Sequence, residues 1–236
     1  MRAVTGPLPV VLIPGLLATQ QLYAEQIPQL WRLGPVILAD HTRDDSISAL
    51  ARGVLASAPS RFALIGLSMG GYISFEILRQ APERVARLAL LDTSARADTP
   101  EQTEQRRAQI ALSRGGHFAE IADAIFPRLV HRQHRSDERL RALVRSMAEA
   151  VGLDAFVRQQ TAIMARPDSR PSLGAIRCPT LVLVGDGDEL TPPERAAEIA
   201  DGIRGARLVT VPESGHLSAL EQPRHVTEAL LELLQA

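Results

Sequence analysis

The sequence predicts an α/β protein built on a mostly parallel sheet of about six strands, interrupted by an all-helical insertion. Three observations predict it. Short apolar runs rich in Val, Ile and Leu alternate with helix-length segments in both the first and the last part of the chain. The alternation stops from about residue 95 to about residue 175, where no strand-like run occurs. And Gly66-Leu67-Ser68-Met69-Gly70-Gly71 stands at the junction of a strand-like run and a helical one. A chain of 236 residues can bury one α/β core with an inserted subdomain. The expected organisation is therefore a core formed by 1–95 and 176–236, with a helical insertion at 96–175.

The elements follow in order. Residues 8–13 read as a strand, ended by Pro14-Gly15. Residues 22–33 read as a helix whose Tyr23, Ile27, Leu30 and Trp31 belong to the core. Residues 35–40 form the second strand, with Asp40 and His41 in the loop after it. Ser46 caps a helix that runs to about residue 58. The third strand is 62–65, followed by the Gly-rich turn and a helix that ends near Pro82. The fourth is 85–91, followed by Asp92. In the insertion, helical pieces are expected at 100–114, 117–126, 140–151 and 153–165. Leu140, Leu143, Val144, Met147 and Val151 share one helix face. The alternation resumes with a strand at 179–184 and a helix at 194–201 that opens on Pro192 or Pro193. A sixth strand spans 206–211, and a last helix buries Val226, Ala229, Leu230, Leu233 and Leu234.

Composition removes several functions. The net charge of −1 offers no basic field for nucleic acid. The chain has no lysine, which excludes a Walker A lysine, a Schiff-base lysine and a Ser–Lys dyad. One cysteine, Cys178, permits no internal disulfide and reads as a buried structural thiol. His and Cys spacing forms no metal cluster, so no metal and no cofactor are expected. The apolar run at 8–13 is too short to span a membrane and makes a poor signal peptide, so a cytoplasmic protein without a membrane partner is expected.

Ser68 is the candidate nucleophile, because Gly-x-Ser-x-Gly at a strand-to-helix turn exposes the serine hydroxyl. The flanking glycines let strand and helix approach closely. The alternative is a Gly-rich turn that happens to hold a serine. A nucleophilic serine needs a histidine and an acid. His216 in Ser214-Gly215-His216-Leu217 is the candidate base. The acid lies in Gly185-Asp186-Gly187-Asp188, with Asp92 at the end of the fourth strand as a further choice. The backbone N–H groups of Leu16, after Pro14-Gly15, and of Met69 are the candidate oxyanion donors. Leu16, Leu17, Met69, Leu190 and Leu217 flank these loops and are apolar, so Leu17, Leu190 and Leu217 are candidate substrate contacts. The run Val130-His131-Arg132-Gln133-His134-Arg135 is either a solvated face or loop, or supplies an arginine to a substrate carboxylate. His117 reads as a surface or pocket-rim residue.

With these motifs in the order Ser, Asp, His, the chain resembles the α/β-hydrolase superfamily. The segments His216-Leu217-Ser218 and Glu221-Gln222-Pro223 are most similar to the branch of small carboxylesterases and 3-oxoadipate enol-lactonases. The resemblance covers nearly the whole chain and places a cap domain at the helical insertion. It implies that Asp188, three residues before Thr191-Pro192, is the acid rather than Asp186. It also implies an acyl-enzyme mechanism on small to medium aliphatic esters or lactones, with no cofactor. A reduced sheet of about six strands is expected, because the segment before residue 8 is short. Two alternatives accompany this reading: an enol-lactone hydrolase acting on an anionic metabolite, and a non-catalytic binding module with the same fold. A monomer or a homodimer is compatible with all three. Pro14 stands where the superfamily often has histidine, and Tyr23 where tryptophan is common.

Overall fold

The computed structural model describes residues 7–235. Arg2 and the rest of the first six residues, like Ala236, lie outside the described residues.

Six strands form one sheet in the order β2-β1-β3-β4-β5-β6, and every neighbouring pair is parallel. They are β1 (Val10–Ile13), β2 (Val36–Leu38), β3 (Phe62–Leu67), β4 (Val85–Leu91), β5 (Thr180–Gly185) and β6 (Arg207–Val211). Central strands β3 and β5 are buried along their whole length, as their unbroken apolar runs require. The outermost strand β2 is only half-buried and keeps just three residues of the expected 35–40.

Alternate side chains point to opposite faces of the sheet and seed two cores. Val11, Ile13, Leu64, Leu90, Val182 and Val184 pack under helices α2 (Ile47–Ser57), α3 (Met69–Gln80) and α8 (Pro193–Gly202). Val10, Leu12, Ile65, Leu91, Leu181 and Leu183 face α1 (Ile27–Trp31) and α10 (Pro223–Gln235). A one-turn helix, α9 (Ser218–Glu221), precedes α10.

Four helices separate β4 from β5: α4 (Pro100–Leu112), α5 (Phe118–Leu129), α6 (Glu138–Val151) and α7 (Leu153–Met164). Their ends follow local chemistry. Thr99 and Gln102 form a reciprocal capping box at α4. Asp137 caps α6 through the Arg139 and Leu140 amides. Gly116, at φ 96°, breaks the chain between α4 and α5. Gly152, at φ 79°, turns it from α6 into α7.

Three expectations need correction. The helix at 22–33 is instead a single 3-10 turn, Gln20–Tyr23, followed by the five-residue α1. Pro28 explains the break, because proline cannot donate within a helix and favours its first turn. Trp31 is 63% exposed and is not a core residue. Cys178 is half-buried beside the core rather than enclosed by it, and partial burial raises its thiol pKa.

Candidate active site

Every strand runs the same way, so the loops after β1, β3, β4, β5 and β6 open along one edge. Ser68 follows β3 directly. Its backbone sits at φ 55°, ψ −115°, a conformation rare for any residue with a Cβ. Two hydrogen bonds hold it there: the Ser68 N–H donates to the Leu91 carbonyl at 2.9 Å, and the Thr93 hydroxyl donates to the Ser68 carbonyl at 2.7 Å. A Cβ at Gly70 would strike the Ile13 carbonyl, so only glycine lets α3 start this close to β1.

The Ser68 hydroxyl lies 2.8 Å from His216 Nε2. His216 Nδ1 lies 2.8 Å from Asp188 Oδ2. The Asp188 carboxylate also accepts the Leu190 and Thr191 amides and the Thr191 hydroxyl. Burial alone would raise the Asp188 pKa, but the neighbouring His216 and Thr191 outweigh it and hold it below its ordinary value. Burial alone would lower His216, yet Asp188, and then Asp92, raise it above its ordinary value.

The other two candidate carboxylates, Asp186 and Asp92, stand elsewhere. Asp186 is exposed and accepts the Ser214 amide at 3.2 Å. Asp92 is fully buried and accepts the Gly185 amide and the Ser218 hydroxyl. Burial, followed by the charge of Asp188, raises its pKa well above the carboxylate range. Asp92 therefore ties the ends of β4 and β5 together and makes no hydrogen bond to His216 among the described residues.

The loop after β1 lies against the serine: a Cβ at Gly15 would sit 3.3 Å from the Ser68 Cβ. Among the described residues, neither the Leu16 nor the Met69 N–H donates to a protein acceptor. Both are thus free to meet an oxygen near Ser68.

A cavity of about 360 Å³ opens above Ser68 and His216, within the size range of small-ligand pockets. Leu16, Leu17, Leu190 and Leu217 all line it. Met69 is fully buried and is not part of its wall. Helices α5, α6 and α7 supply an apolar roof that includes Ile121, Ile125, Met147 and Phe156. The same wall also carries cations. Arg96, Arg106, Arg128, Arg166 and Arg195 line the cavity, whereas no Asp or Glu does among the described residues.

The basic run at 130–135 is a loop with Arg132 and Gln133 exposed, and it lends no arginine to the cavity. Glu221 accepts the His131 amide at 2.6 Å, the Gly215 amide at 2.8 Å and a ring contact from His134 at 2.8 Å. Arg135 pairs with Glu189. The run therefore clamps the loop that carries His216. His117 is exposed, pairs with Glu120 and lies outside the cavity. Tyr23 is buried, and its hydroxyl donates to the Ile13 carbonyl at 3.1 Å.

Two residues of the site had no local signal in the sequence. Gln159 on α7 is fully buried and accepts the Leu17 amide at 3.2 Å. His41, after β2, reaches the Gly15 carbonyl at 2.9 Å.

A parallel sheet with a strained serine between strand and helix, roofed by inserted helices, defines an α/β hydrolase. The α/β-hydrolase fold family matches residues 44–223, more than half of the chain, and the protein belongs to that family. A thermophilic esterase from Thermogutta terrifontis is 31% identical, with a TM-score of 0.88 over 98% of this chain and 90% of that one. The pimeloyl-[acyl-carrier protein] methyl ester esterase of Neisseria meningitidis is 25% identical over 221 residues, 88% of this chain and 85% of its own length. The enol-lactonase from Burkholderia xenovorans LB400, 24% identical with a TM-score of 0.87 over 99% of this chain and 94% of that one, shares the fold.

Proposed function

We propose that the protein hydrolyses carboxylic esters through an acyl-enzyme on Ser68. The observation that carries this reading is the unbroken hydrogen-bonded line from Ser68 through His216 to Asp188, beside two unengaged amides. His216 Nε2 accepts the Ser68 proton as the hydroxyl oxygen attacks the ester carbonyl. Asp188 holds the proton on Nδ1 and stabilises the imidazolium. The Leu16 and Met69 N–H groups bind the oxyanion of the tetrahedral intermediate. His216 then protonates the leaving alcohol. A water molecule, deprotonated by the same histidine, attacks the acyl-enzyme; Ser68 takes its proton back and the acid leaves. The segment 96–175 acts as the cap, with Leu17, Leu190 and Leu217 touching the substrate's apolar part. The relatives named as esterases support this reading.

The test is steady-state hydrolysis of an ester and lactone series by wild type and Ser68→Ala, together with labelling by a fluorophosphonate. Turnover and a label on Ser68 support the reading. A folded protein that neither turns over nor labels is a binding module.

One observation favours a second reading, hydrolysis of an anionic lactone or ester. Five arginines line the cavity, and their salt bridges engage only two carboxylates, Asp98 and Glu198. Arg128 and Arg195 make no salt bridge among the described residues, and the Thermogutta esterase structure has malate bound. Paired neutral and carboxylate-bearing substrates of equal length separate the two readings.

A further inference from the structure

We propose that His41 is a positioning residue for the oxyanion hole, because its Nε2–H fixes the peptide that carries the Leu16 N–H. The inference rests on Ser68 being the nucleophile. A carbonyl can only accept, so at 2.9 Å from the Gly15 oxygen the His41 Nε2 must carry a proton. His41 is buried, and burial, against the pull of the Gly15 carbonyl and Asp40, lowers its pKa and keeps the ring neutral. The Gly15 carbonyl and the Leu16 N–H belong to one planar peptide. No described peptide bond is cis, so the two groups point in opposite directions. Anchoring the carbonyl therefore aims the amide away from His41, and that amide has no other protein partner among the described residues.

The loop needs such an anchor. The Ala18 N–H donates to the same Gly15 carbonyl at 3.2 Å and closes a four-residue turn. Its third residue, Leu17, sits at φ 58°, where glycine is normally required. The turn is strained, and outside contacts must hold it. Gln159 supplies the second one: its Oε1 accepts the Leu17 amide, and its Nε2 donates to the His41 carbonyl at 3.4 Å. Leu16 is thus bracketed by a ring of contacts that runs from the β2 loop to the cap helix α7.

The test compares wild type, His41→Leu and His41→Gln on a short-chain p-nitrophenyl ester and on an alkyl trifluoromethyl ketone. The ketone forms a hemiketal oxyanion with the serine. His41→Leu is expected to lower kcat about 10- to 100-fold with KM within about twofold. The inhibition constant of the ketone should rise by the same factor, and His41→Gln, whose amide can donate, should recover most of the loss. A folded His41→Leu enzyme with unchanged kcat, or with lower kcat but unchanged ketone affinity, overturns the inference. So does a glutamine variant no better than leucine. If the leucine variant does not fold, His41→Asn, whose amide is too short to reach Gly15, carries the same comparison. Wild type that neither hydrolyses the ester nor binds the ketone refutes the esterase reading itself, and the inference falls with it.

Discussion

The floor of the cavity and its roof are made of different materials. The floor is loop backbone at the ends of strands. Leu17 and Ser68 both have positive φ there, and each is tied down by hydrogen bonds from residues far away in the chain. The roof is helix surface, with apolar side chains from α5–α7, and around it stand Arg106 of α4, Arg128 of α5, Arg195 of α8 and the loop residues Arg96 and Arg166. Strained backbone holds groups to a fraction of an ångström, as bond-making requires. Helical side chains change without moving the backbone, as substrate choice requires. On this division, damage to the floor lowers turnover of every substrate alike, while damage to the roof changes the ratio between substrates.

The largest effect that tests this division is Ser68→Ala. It should lower kcat by about 10⁶-fold on neutral and anionic esters equally. Asp188→Asn comes next, with a loss of about 10⁴-fold, because His216 loses the partner that sets its tautomer. It also carries a pH signature. The base must be neutral to act, and His216 has a pKa raised above 6.5, so wild-type kcat/KM should fall as pH drops through a value above 6.5. Without the Asp188 charge, burial dominates and the acid limb of that profile should move to lower pH.

A roof lesion should look different. Phe156 is fully buried between helices α5 and α6 and Leu17. Phe156→Ala should cost about 3–5 kcal/mol of stability, read by denaturant unfolding. The surviving activity should shift between short and long acyl chains, because Phe156 lines the cavity. The smallest effect is expected at Arg195, which is part-exposed. Arg195→Gln should leave kcat on a neutral ester unchanged and lower the preference for a carboxylate-bearing partner about fivefold, the size of a weakly screened ion contact. Equal losses on both substrates would break the proposed division.

The same contrast decides what can be read from the sequence. The strands are legible because a parallel sheet buries both faces, which writes a continuous apolar run at β3, at β5 and over residues 88–91 of β4. The Ser68 turn, the Asp188 loop and the His216 loop are legible because each is a local motif at a strand end. His41 and Gln159 are not: their contacts cross 26 and 142 residues, and neither belongs to a local pattern. The cavity arginines are equally hidden, because an arginine on an amphipathic helix has the pattern of a solvated face whether it meets water or a substrate. Trp31 misleads in the opposite way: a large aromatic residue reads as core, but a helix of only five residues has little face to bury.

The most direct measurement is mass spectrometry of the intact, folded protein after reaction with a fluorophosphonate, followed by peptide mapping. One adduct per chain is expected, on the peptide that carries Ser68, with ester hydrolysis lost in step with labelling. His216→Ala should slow both by the same factor. No adduct, an adduct at another serine, or undiminished hydrolysis by Ser68→Ala would contradict it.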